Sequence, residues 1–71
     1  MNDFKYNPID YDEPVRTDMI NVYESVKKHD KFAYMYHVGN LFYSLKNLGT
    51  FNVIPMATIK EMQYYFGGLY D

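Results

Sequence analysis

The sequence predicts an all-α fold, a small three-helix bundle with an extended N-terminal arm. Two observations lead there. Apolar residues recur at steps of three and four along three stretches of the chain, the period of a helix face laid on a core. Short breaks carrying Asp30, Gly49 and Pro55 separate those stretches, and a chain of 71 residues has room for one core only. Residues 1–13 are read as the arm and residues 14–71 as a single helical domain.

In the arm, Phe4, Tyr6, Ile9 and Tyr11 are spaced too irregularly for a helix face, and Asn7-Pro8 precedes the acidic run Asp10-Tyr11-Asp12-Glu13. Four large apolar or aromatic residues in thirteen are too many for a purely solvating tail, so the arm is expected to dock on something. The first helix is predicted over 14–29. Asp12 or Glu13 can accept from its orphan N–H groups, Pro14 suits its first position, and Asp18 lies near the positive end of the dipole. Val15, Met19, Val22 and Val26 make its stripe, widened by Ile20 and Tyr23. Lys27, Lys28 and His29 complement its C-terminal end.

After a very short turn from the first helix, Asp30 is the expected cap of a second helix over 31–48, closed by Gly49 as the left-handed residue after it. Its stripe is Tyr34, Val38, Leu41, Leu45 and Leu48, opposed by polar His37, Asn40, Ser44 and Asn47. Phe32, Met35, Tyr36, Phe42 and Tyr43 flank that stripe, so the helix is expected to be covered on more than one side, as a central helix or an oligomer seam. Alternation of Phe32, Tyr34, Tyr36 and Val38 supports a competing α+β reading with a short strand at about 32–38. Residues 49–55 carry Phe51, Val53 and Ile54 as an extended segment across the helix pair. The third helix starts near Pro55 or Met56, or at Ile59 if Thr58 and Glu61 form a capping box, with Ile59, Met62, Tyr65 and Phe66 inward. Gly67-Gly68 ends it, leaving Leu69 and Tyr70 to fold back or stay free.

Composition narrows the function. Without Cys there is no disulfide framework, zinc ribbon or thiol nucleophile, which fits a reducing cytoplasm. No apolar run approaches a membrane span and the N-terminus lacks a basic region followed by an apolar stretch, so the expectation is a soluble, cytoplasmic protein without a membrane partner. The net charge of −2 argues against a protein that neutralises many phosphates, so nucleic acid is not the expected partner. The charge is uneven: residues 1–24 hold six acids and two bases, residues 25–46 four bases and one acid, which would orient the molecule on a partner.

Catalytic chemistry finds little footing. Ser25 and Ser44 lie mid-helix as ordinary solvent-facing hydroxyls, His29 and His37 fall on different sides of a helix break, and Asp10, Asp12 and Glu13 read as capping and solvated acids. Gly67-Gly68 has no following Lys and reads as a helix stop. No catalytic residue, metal site or cofactor is expected. A helix-turn-helix regulator is the alternative, but its last helix would offer only Thr58, Lys60 and Gln63 to DNA, beside Glu61.

The positive signal is nine tyrosines, which cannot all bury their hydroxyls in so small a domain unless each finds a partner. Surface tyrosine is a binder's residue, giving wide contact with few rotors to freeze. Tyr6, Tyr11, Tyr36, Tyr64 and Tyr70 are therefore expected at an interface together with Asp10, Asp12 and Glu13, whereas Tyr23, Tyr34 and Tyr43 are divided between core and interface. In composition the chain resembles the compact, Cys-free, Tyr-rich, Lys-over-Arg proteins that phages and mobile elements of low-GC bacteria direct at host machinery; the likeness rests on no motif. It implies a non-enzymatic module that inhibits or redirects a larger host protein, such as a nucleic-acid-handling or defence enzyme with a basic groove. A homo-oligomeric assembly protein is the second alternative.

Overall fold

The computed structural model describes residues 4–70. Met1, Asn2, Asp3 and Asp71, to which parts of the arm and domain assignments extend, lie outside the described residues. A 3-10 turn, Pro8–Asp10, precedes three helices: α1 Val15–Lys27, α2 Lys31–Thr50 and α3 Met56–Gly67. The all-α three-helix bundle is the fold. Among the described residues there is no strand, and the α+β alternative at 32–38 is wrong. The Asp30 side chain accepts from Ala33 N at 3.1 Å and starts α2 directly upstream of that stretch. Helical phase then turns Tyr34 inward and Phe32 and Tyr36 outward, so their alternation in sequence has no sheet to serve.

The core is the meeting of the three predicted stripes. Val15, Met19, Val22 and Tyr23 of α1, Tyr34, Leu41 and Leu45 of α2, and Ile59, Met62 and Phe66 of α3 are all buried. Pro14 stands one position earlier than expected, as the residue before α1 and not its first turn. The Asp12 carbonyl and the Glu13 carboxylate take the orphan N–H groups of Arg16 and Thr17, at 3.1 and 2.9 Å. At α3 the expected capping box does not form, because Thr58 and Glu61 lie inside a helix that begins at Met56.

Both interhelical turns depend on a non-glycine residue in the left-handed region. His29 has φ 55°, and the amides of His29 and Asp30 donate back to the carbonyls of Val26 and Ser25. Asn52 has φ 59°, and the amides of Asn52 and Val53 donate to Gly49 and Leu48. Each is a Schellman closure, with the left-handed residue just beyond the helix cap. Gly49 is therefore not the left-handed stop that the sequence suggests. It is buried inside α2, where a Cβ would come within 3.0 Å of Met56 Cε and 3.3 Å of Ile59 Cγ1. Its missing side chain lets α3 close on α2. Beyond it, Phe51 and Val53 face solvent and only Ile54 of that trio packs on the core, since the closure turns the chain outward before Pro55.

Replacing His29 with Gly is expected to stabilise the protein by about 0.5 to 1 kcal/mol, because the left-handed penalty of an L side chain exceeds the entropy that Gly returns to the unfolded chain. Thermal melting should rise by about 2 to 8 °C for a domain of this size. A fall would mean that the imidazole holds the turn.

Tyrosine hydroxyls tie the ends of the chain to the bundle. Tyr23 Oη donates to the Tyr6 carbonyl at 2.6 Å, Tyr34 Oη donates to the Phe66 carbonyl, and Tyr70 Oη donates to the His29 carbonyl at 2.9 Å. The Lys5 amide donates to Tyr65 Oη at 2.8 Å, and the Lys5 ammonium pairs with Glu61 at 2.8 Å. Phe4 stacks on Tyr23 with centroids 4.0 Å apart, and Tyr6 lies against Tyr65 and Phe66 at 5.4 and 5.7 Å. The described part of the arm thus docks on its own bundle. Leu69 and Tyr70 fold back against the core.

Candidate functional site

The predicted interface residues separate into two groups. Tyr6 and Tyr70 are half-buried and belong to the ties just described, while Tyr36 and Tyr64 are exposed. Asp10, Asp12 and Glu13 are exposed beside half-buried Tyr11. Of the three divided tyrosines, Tyr23 and Tyr34 are core and Tyr43 is surface.

The acidic end of the arm is held in place from both sides. Asn7 caps the 3-10 turn through Oδ1 to the Ile9 amide at 3.2 Å, and Arg16 Nε donates to the Tyr11 carbonyl at 3.0 Å. This sets Asp10, Asp12 and Glu13 along one side of a groove of about 410 Å³ whose other wall is Leu48, Val53 and Ile54. Hydrogen bonds with Thr17 hold the Glu13 carboxyl below its ordinary value, with Arg16 adding a smaller pull the same way. Burial, helped by the Asp10 charge, pushes the Tyr11 hydroxyl up. At neutral pH the groove therefore presents the Glu13 carboxylate and the neutral Tyr11 phenol beside an apolar wall.

A second surface lies on the flank of the second helix that the sequence marks for a cover or an oligomer seam, and it includes Tyr36, one of the expected interface residues. Phe32, Met35, Tyr36 and Tyr43 are 86%, 57%, 68% and 69% exposed along the outer side of α2. The expected cover on that side is absent among the described residues, because α1 and α3 both pack on the opposite stripe. The signal lay in the sequence: positions 32, 36, 39 and 43 keep as regular a helical step as the inward 34, 38, 41 and 45. Two neighbouring helices cover one stripe, and the other faces water.

Ser25, Asp30 and His37 line one shallow hollow between α1 and α2, the closest approach to a nucleophile, acid and base. Their chemistry is committed elsewhere. Ser25 is buried and donates to the Asn21 carbonyl at 2.8 Å, and Asp30 is the α2 cap. Ser44 is half-buried and donates to Asp18 at 3.0 Å across the helix pair. Neither hydroxyl is the solvent-facing group expected, since each falls on the α1–α2 seam. Among the described residues no group of His, Asp and Glu is placed to hold a metal ion, and no helix is long and apolar enough to cross a membrane. On α3, Lys60 is exposed, Thr58 and Gln63 are half-buried, and Glu61 is paired with Lys5.

Compared with protein-family models, curated proteins and solved structures, the chain finds no match.

Proposed function

We propose that this chain is a non-enzymatic protein–protein interaction module that captures a basic partner in the groove between the arm and the α2–α3 turn. The observation that carries the reading is the groove's mixed lining, with the exposed acidic residues Asp10, Asp12 and Glu13 sharing it with Leu48, Val53 and Ile54. Such a lining suits a protein segment that pairs Lys or Arg with an apolar side chain. The charges steer the encounter and the apolar wall supplies contact once water leaves. The arm contributes this edge as a fixed element, so little ordering entropy opposes binding. The composition supports a larger host protein as the partner, a nucleic-acid-handling or defence enzyme whose basic groove the acidic edge would occupy and thereby inhibit.

The test is capture of the tagged protein's partner from a nuclease-treated lysate of its native host, comparing the wild type with Asp10→Asn/Asp12→Asn. Neither carboxylate caps a helix through its side chain in this structure, so the variant should melt within a few degrees of the wild type. Affinity for the retained protein should fall about tenfold or more, with a flatter salt dependence. Unchanged affinity would sink the role of the acidic edge, and capture of nucleic acid in place of protein would favour the helix-turn-helix alternative.

A further inference from the structure

We propose that the outer face of α2 is a homodimer seam, in which two copies pack their α2 helices antiparallel about a two-fold axis at Gly39. This surface lies on the opposite side of α2 from Leu48 and is independent of the acidic groove.

The face has the size of a dimer contact. With roughly 200 Å² for a large side chain, the exposures of Phe32, Met35, Tyr36 and Tyr43 leave roughly 560 Å² of mostly apolar surface on each copy. Pairing two such faces removes at most roughly 1,100 Å² from water before their polar neighbours are counted, of the order of the roughly 1,000 Å² that marks a specific interface. The bundle itself is too small to have a generous core, and a second copy is a common way for such domains to gain burial.

The face is also complementary to itself. Gly39 lies at its middle in both length and angle, and a Cβ added there would meet nothing within 4 Å. That position gives room for a second helix to approach closely. An axis at Gly39 places residues opposite one another when their numbers sum to about 78. Tyr43 of one copy then meets Met35 and Tyr36 of the other, a sulfur–aromatic and an aromatic pair. Lys46 comes over the ring of Phe32, giving a cation–π contact at each end. A shallow crossing of about 20° keeps these outer pairs in reach. The charges agree with this direction. α2 has no Asp or Glu, and the basic group Lys27, Lys28 and Lys31 near its start would lie beside the negative C-terminal end of the other α2 at Thr50. A parallel pairing would set those lysines against their own copies.

The test uses the absence of native cysteine. Sedimentation equilibrium of the wild type should give twice the 8.5 kDa chain mass at high concentration, and Tyr36→Glu/Tyr43→Glu should return it to a single chain mass without loss of helix. Gly39→Cys should self-crosslink under mild oxidation, since facing Cα atoms of two close helices fall at about 5 Å, within disulfide reach. Phe32→Cys should not self-crosslink, its two copies lying about 21 Å apart along the helices, but should crosslink when mixed with Lys46→Cys. A single chain mass up to about 1 mM, the weak limit of specific association, would overturn the proposal. So would a dimer indifferent to Tyr36→Glu/Tyr43→Glu, or Phe32→Cys self-crosslinking as readily as Gly39→Cys.

Discussion

Phe66→Ala is expected to cost about 3 to 5 kcal/mol, which is about all that a core of this size supplies, so the variant should be largely unfolded at 25 °C. Phe66 is fully buried, and its ring lies within 5.7 Å of the rings of Tyr6, Tyr23 and Tyr65. Its carbonyl accepts the Tyr34 hydroxyl. The arm, α1 and α3 therefore meet at this one ring, and α2 is tied to the same residue through its carbonyl. Truncation would leave a cavity that Tyr6 and Tyr23 cannot fill without giving up their own ties. Urea unfolding followed by far-UV circular dichroism reads the effect directly, and Tyr64→Ala supplies the control. Tyr64 is two residues away on the same helix but 86% exposed, so its loss should change stability by no more than about 0.5 kcal/mol. A cooperative transition near the wild-type midpoint in Phe66→Ala would show that the centre of the core lies elsewhere.

The inward stripes of all three helices were legible in the sequence because helical period is a property of the chain itself. Val15, Met19 and Val22, Tyr34, Leu41 and Leu45, and Ile59, Met62 and Phe66 are buried where that period put them. The turn chemistry was less legible. Gly49 carries the usual mark of a helix end, yet Asn52 takes the left-handed position three residues later, and Gly49 instead makes room for Met56 and Ile59. Only the approach of α3 distinguishes those two uses of a glycine. The arm was legible as something that docks but not as to where. Its ties join residues 17 and 60 positions apart, Tyr23 with Tyr6 and Tyr65 with Lys5, and no local pattern encodes them. The same holds for the candidate groove. Asp10, Asp12 and Glu13 announce themselves as a charged run, whereas Leu48, Val53 and Ile54 become their opposite wall only through the closure at Asn52.

Tyr23→Phe should cost about 1 to 2 kcal/mol, the price of one buried hydrogen bond with its acceptor left behind. The substitution removes a single oxygen. The stack on Phe4 and the contact with Phe66 keep their rings, but the Tyr6 carbonyl loses its partner at 2.6 Å. Because that carbonyl is where the arm is tied to α1, amide hydrogen exchange should quicken over residues 4–11 more than in α2. The pH dependence gives an independent reading. Burial pushes the Tyr23 hydroxyl well above its ordinary value, with Tyr65 and then Tyr11 adding to the shift. The fold therefore favours the neutral phenol. Its contribution is fully present below the unfolded value near 10 and is lost as pH rises from there toward the higher folded value. Wild-type stability should fall steeply above about pH 10, and Tyr23→Phe should fall less steeply over the same interval. Equal slopes in the two proteins would assign the alkaline loss to other tyrosines and leave Tyr23 only its neutral hydrogen bond. A flatter slope in Tyr23→Phe, with faster exchange confined to the arm, would make this hydroxyl the latch that fixes the acidic edge of the groove.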